Sequence, residues 1–107
     1  MVEGAEAQKL RARLYAETRR VLSDAGYLEV EVPLLSDSLI PESHLEVFET
    51  RYIQPYTEPP TGTPLYLTPS PEVFLKRLLA DGWPSLFSIS RAFRNAESLG
   101  RRHNPEF

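Results

Sequence analysis

The 107 residues suffice for one small domain and not for two, and 41 % hydrophobic with 25 % charged residues argues against a chain disordered throughout. Twelve Lys plus Arg against fifteen Asp plus Glu leave a formal charge of −3, which argues against a dedicated nucleic-acid binder but leaves room for a local basic pocket. There is no cysteine, hence no disulfide framework and no thiolate metal site.

No apolar run approaches the roughly 18 residues that cross a bilayer. The N-terminus lacks a signal-peptide pattern, so a soluble, cytoplasmic protein is expected. Chains of this length bury roughly 60 to 70 % of their unfolded surface, which allows a core without making it generous.

In chain order, residues 7–25 read as an amphipathic helix. Leu10, Leu14, Val21, Leu22 and Ala25 fall near one face, and Gly26 supplies a C-terminal stop. From Tyr27 to Val32 the period changes: Leu28, Val30 and Val32 alternate with Glu29 and Glu31 as in a half-exposed strand, and Pro33 ends it. A short strand is expected around Leu45 to Ile53, then a surface loop over Gln54 to Pro64, then a short strand from Leu65 to Thr68. Ser70 caps a second helix with Pro71 at its first position; Phe74, Leu75, Leu78 and Leu79 form its buried stripe and Gly82 terminates it. Residues 85–94 read as a last strand. This order predicts an α+β fold with an antiparallel sheet flanked by helices.

In the segment SLFSISRAFR, alternation puts Phe87, Ile89, Arg91 and Phe93 on one face and Ser88, Ser90, Ala92 and Arg94 on the other. Small side chains leading to a guanidinium suit the floor of an anion pocket, but on alternation alone a solvent-exposed strand face is the better reading. The cationic cluster Arg91, Arg94, Arg101 and Arg102, a polar turn, and a returning segment with His103, Asn104 and Phe107 favour the pocket. Arginine recognises phosphate bidentately, histidine can donate to it, and an aromatic ring can stack on a base.

These residues resemble a known pattern. FRNAESLGRRHNPEF is similar to the motif 2 hairpin of class II aminoacyl-tRNA synthetases in their lysyl branch, and GYLEVEVPLL, ending at Pro33, is similar to motif 1, the dimer-interface element. HLEVFETRY and LYLTPSPEVFLKRLL also resemble that branch, and most closely its paralogues that lack an anticodon-binding domain and ligate lysine to elongation factor P. The resemblance covers about residues 10–107. It implies ATP and Mg²⁺ as cofactors and lysine or β-lysine as substrate. Elongation factor P is the implied acceptor, tRNA the alternative, and a homodimer would form through motif 1.

By the same resemblance Arg94 contacts the ATP α-phosphate as the catalytic arginine. Asn95, Arg102, His103 and Asn104 lie in the ATP site, Phe107 stacks on adenine, and Ser70, Pro71 and Glu72 contact the amino acid. Glu72 would neutralise a substrate ammonium, although an acid at a helix N-terminus is also explained by the macrodipole. The pattern departs at Ala96, where an acid is usual; Glu97 follows in a loop one residue longer and is expected to take over the adenine contact. Motif 3 and the Mg²⁺-binding acids are expected beyond Phe107, no metal ligand is assigned within the chain, and the 107 residues alone are expected to be inactive. A non-catalytic dimerisation or binding module is the alternative from a different class.

Overall fold

The computed structural model describes residues 4–38, 47–59, 61–95 and 104–107. Helix α1 spans Ala5–Asp24 and is followed by β1 (Leu28–Glu29), β2 (Leu35–Ser36), β3 (Glu49–Ile53) and β4 (Gly62–Leu67). Helix α2 (Glu72–Ala80) and β5 (Leu86–Phe87) complete the order. Strands β2, β4 and β3 form a three-stranded antiparallel sheet in that order, whereas β1 and β5 form a separate parallel pair. The α+β class and the antiparallel sheet therefore hold, and the parallel β1–β5 pair is an addition that the sequence did not lead us to expect. Parallel strands need a long crossover, and here β2 to β4 and α2 provide it.

Both helices end as their glycines require. Gly26 (φ 90°) and Gly82 (φ 89°) take the left-handed conformation. Around Gly26, the Tyr27 N–H donates to Leu22 O and the Gly26 N–H to Ser23 O, both at 3.0 Å. Around Gly82, the Trp83 N–H donates to Leu78 O and the Gly82 N–H to Leu79 O, both at 3.1 Å. These paired bonds satisfy carbonyls that the helix end would otherwise leave orphaned.

Three expected elements are shorter or shifted. The segment Tyr27 to Val32 pairs as a strand only at Leu28–Glu29, although the Val30 N–H still donates to Phe87 O at 3.0 Å. The loop expected to reach Pro64 ends earlier, because β4 begins at Gly62. Pro64 sits opposite Arg51 in a register whose flanking hydrogen bonds join Gln54 to Thr61 and Leu67 to Phe48, so the proline occupies a non-hydrogen-bonded position. Its missing N–H faces away from β3, and β2 pairs only with Tyr66 and Leu67. The expected strand over 85–94 divides into β5 and a separate ribbon at Ala92–Arg94. Among the described residues, 88–91 belong to no strand and meet no ladder partner.

Burial is sparse. Among the described residues the buried apolar side chains are Pro69, Phe87 and Ala92, while Leu10, Leu14, Val21 and Leu28 stay about half exposed. The radius of gyration is 17.1 Å, against about 13 Å for a compact chain of this length. What organises the centre is instead hydrogen bonding around Thr68, which with Pro69 is fully buried where β4, β2 and the 92–94 ribbon meet. Among the described residues no helix is long and apolar enough to cross a membrane.

Candidate active site

The site grows from two short backbone runs laid side by side. Residues 92–94 pair antiparallel with 105–107: Ala92 and Phe107 exchange both N–H···O bonds at 2.7 and 2.9 Å, and the Arg94 N–H donates to Pro105 O at 3.0 Å. The other edge of residues 92–94 meets the end of β4, where the Phe93 N–H donates to Thr68 O at 2.9 Å. The base of the expected hairpin is thus present. Its turn, with Glu97, Arg102 and His103, lies outside the described residues.

Arg94 is partly buried and placed by two contacts. Its Nε donates to Pro69 O at 3.4 Å, and its guanidinium carbon lies 5.3 Å from the centre of the Phe107 ring, within cation–π range. Asn95 and Asn104 are exposed and lie at the same, turn-side end of the ribbon, where the register continues beyond Arg94 and Pro105.

Pro69 is followed directly by Ser70, Pro71 and Glu72, so the segment expected to meet the amino acid and the arginine expected to meet phosphate share one backbone junction. Ser70 Oγ accepts the Glu72 N–H at 3.2 Å from the position just before the N-cap. The helix starts one residue later than expected, with Pro71 at the N-cap itself and not at the first helical position. Glu72 is exposed, and its carboxylate is 2.8 Å from Lys76 Nζ one turn on. The hydrogen bond from Lys76, and then its charge, hold the Glu72 carboxyl below the usual carboxylate range.

A cleft of about 430 Å³ lies against the ribbon. Arg11, Tyr15 and Arg19 of α1 line one side, and Arg91, Asn104 and Phe107 line the other. Arg94 is not among its lining residues. Arg19 is already engaged: its Nε meets both Glu29 carboxylate oxygens at 3.0 and 3.1 Å.

The cleft corrects the parity reading. Ile89, Ser90 and Arg91 all line it, so strict alternation lapses over 88–91, where no neighbouring strand fixes the pleat among the described residues. Ala92, expected to leave open space above the sheet, is buried, and Ser90 Oγ is buried without a hydrogen-bond partner among the described residues.

Sequence reasoning did not single out Arg11, Tyr15 or Arg19: the two arginines read as part of the polar side of an amphipathic helix, and Tyr15 was given no role. It also passed over Thr68. A polar β-branched residue directly before a Pro-Ser-Pro run at a strand end was the signal available.

A family model described as tRNA synthetases class II (D, K and N) matches residues 3–107. The chain is 48 % identical over 97 residues to proteins named elongation factor P–(R)-β-lysine ligase from Salmonella paratyphi B, Salmonella heidelberg and Salmonella schwarzengrund. The matched stretch covers 91 % of this chain and 29 % of each relative, so the chain spans less than a third of the length of these curated relatives. With its family model matched across nearly every residue, the chain belongs to the class II tRNA synthetases of the D, K and N group.

Proposed function

We propose that this chain supplies the motif 1 and motif 2 portion of a ligase that activates lysine or (R)-β-lysine with ATP and transfers it to a lysine side chain of elongation factor P. In the first step the amino-acid carboxylate attacks the α-phosphorus of ATP, forming the aminoacyl-adenylate and releasing pyrophosphate. In the second, the acceptor amine attacks the acyl carbonyl and AMP leaves. Arg94 offsets the charge that develops on the α-phosphate, a matter of electrostatics and positioning. Ser70, Pro71 and Glu72 orient the amino acid. Phe107 offers its ring to adenine, and Asn95, Glu97, Arg102, His103 and Asn104 complete the nucleotide contacts.

The junction at Pro69 carries this reading. Acyl-adenylate formation needs the amino-acid carboxylate and the α-phosphate in contact, and one carbonyl joins the Arg94 side chain to the start of the Ser70–Glu72 segment. The names of the relatives favour a protein acceptor and the β-isomer; tRNA remains the acceptor to be tested against it. Among the described residues no group of three or more His, Asp or Glu side chains gathers that could hold a metal ion. The half-exposed Leu10, Leu14 and Val21 on α1 favour a homodimer through the motif 1 region.

The test is amino-acid-dependent ATP–pyrophosphate exchange by the full-length protein that carries this chain, with lysine, (R)-β-lysine and alanine compared, followed by mass analysis of elongation factor P. Exchange with (R)-β-lysine and a one-residue mass gain on the factor are expected. Equal signals with alanine, or aminoacylated tRNA in place of modified factor, would sink the assignment.

A further inference from the structure

Thr68 is the one polar residue buried as a whole among the described residues, at 1 % exposure. All of its polar groups are used. Its N–H donates to Leu34 O at 2.9 Å, its Oγ1 donates to Pro33 O at 3.2 Å, and its carbonyl accepts the Phe93 N–H at 2.9 Å. The next residue, Pro69, has no N–H and a fixed φ, and its carbonyl accepts the Arg94 Nε–H at 3.4 Å. Two successive carbonyls therefore receive donors from two successive residues of the arginine-bearing ribbon. After them the chain runs directly into Ser70–Glu72.

A hydroxyl is costly to bury unless it is bonded. If this position served packing alone, valine would fill the same shape without that cost. The hydroxyl instead anchors the end of β4 to Pro33, on the segment between β1 and β2. A change in the Thr68–Pro69 peptide would move Ser70 and the Arg94 acceptor together. The 3.4 Å contact is long, so a small rotation is enough to lose it.

We propose that Thr68 is a positioning residue that holds the amino-acid segment and the Arg94 guanidinium in mutual register. The proposal rests on the ligase reading for its consequence in catalysis, but the physical tie is measurable without activity. In the isotope-labelled chain, exchange of the Arg94 Nε–H with water reports the Pro69 contact, and the α1 amides report whether the fold is intact. Thr68→Val should speed Arg94 exchange about three- to tenfold, the change expected for loss of one modest hydrogen bond. Thr68→Ser, which keeps the hydroxyl, should match the parent. If Thr68→Val does not fold, Thr68→Ala against Thr68→Ser gives the same comparison.

Unchanged Arg94 exchange in a folded hydroxyl-less variant, or equal acceleration in the serine variant, overturns the proposal. In the full-length protein Thr68→Val should lower kcat roughly tenfold or more, as expected for a slight misplacement of a catalytic group, with both KM values within about twofold and recovery in Thr68→Ser. An active parent with equal kcat in Thr68→Val also overturns it. An inactive parent whose Arg94 exchange still follows the hydroxyl would retire the ligase reading and support the tie.

Discussion

The guanidinium carbon of Arg94 sits 5.3 Å from the centre of the Phe107 ring, and the backbone pairing of Ala92 with Phe107 brings the two side chains together. The contact is a self-contained cation–π pair between the two residues assigned to phosphate and adenine. Under the proposed function adenine stacks on the Phe107 ring while the Nε–H bond to Pro69 O keeps the Arg94 guanidinium in place for the α-phosphate. Phe107→Leu should therefore raise the KM for ATP by roughly 5- to 100-fold, the worth of one base–aromatic stack, with a smaller effect on the amino acid. Steady-state kinetics with each substrate varied separately checks this; equal loss for both substrates would place the ring elsewhere.

Arg94 itself should be needed for rate more than for affinity. Removing one donor aimed at developing charge typically costs about 10²- to 10³-fold in kcat, and Arg94→Ala should fall in that range in pyrophosphate exchange. Arg94→Lys should recover little, since an ammonium cannot reproduce the planar fork or keep the Nε–H bond to Pro69. Unchanged exchange in Arg94→Ala would defeat the assignment.

Some of this was legible in the residues and some was not, for physical reasons. Gly26 and Gly82 announced both helix ends, because only a residue free to adopt positive φ closes those turns cheaply. The FRN and NPEF segments announced the ribbon. The parallel pairing of Leu28–Glu29 with Leu86–Phe87 left no local signature, since two-residue strands are defined by a partner nearly sixty positions away. The lapse of alternation over 88–91 was hidden for the same reason: periodicity is written locally, and the pleat is held by neighbours. Thr68 carried only a faint mark, its place before the Pro-Ser-Pro run, because nothing in one sequence says that its hydroxyl meets Pro33.

Glu72 offers a pH-dependent check. Its carboxyl is held below the ordinary value by the Lys76 hydrogen bond and charge, and under the proposed function a substrate ammonium has to share or displace the Lys76 partner 2.8 Å away. The sign follows from the depressed folded-state pKa. What the ion pair contributes is present above the unfolded carboxyl pKa and is lost as pH falls through the lower folded value. Carboxyl-detected NMR titration should give Glu72 a midpoint below that of an unpaired glutamate, and Lys76→Met should move it upward. Glu72→Gln should weaken the amino acid far more than ATP.

The exposed side of α1 makes a claim about assembly. Leu10, Leu14 and Val21 are 56, 57 and 54 % exposed, an apolar run that water does not favour. If a second copy covers it, Leu14→Asp buries an unpaired charge in the interface and should shift sedimentation of the full-length protein from dimer to monomer. A parent that sediments as a monomer at every concentration would remove the dimer from the proposal.

The stability of the α1–β1 turn can be tested without reference to any ligand. Gly26 has φ 90°, and a Cβ built there meets nothing within 4 Å. A substitution therefore pays only the backbone cost of holding an L-residue at positive φ, with no clash to confuse the result. Gly26→Ala should destabilise the chain by about 1 kcal/mol, and Gly26→Asn by less, because asparagine tolerates the left-handed region. Urea midpoints with an unchanged slope would measure this. An unaffected Gly26→Ala would mean that the turn relaxes to negative φ, and the paired bonds from Tyr27 to Leu22 and from Gly26 to Ser23 would then have to break.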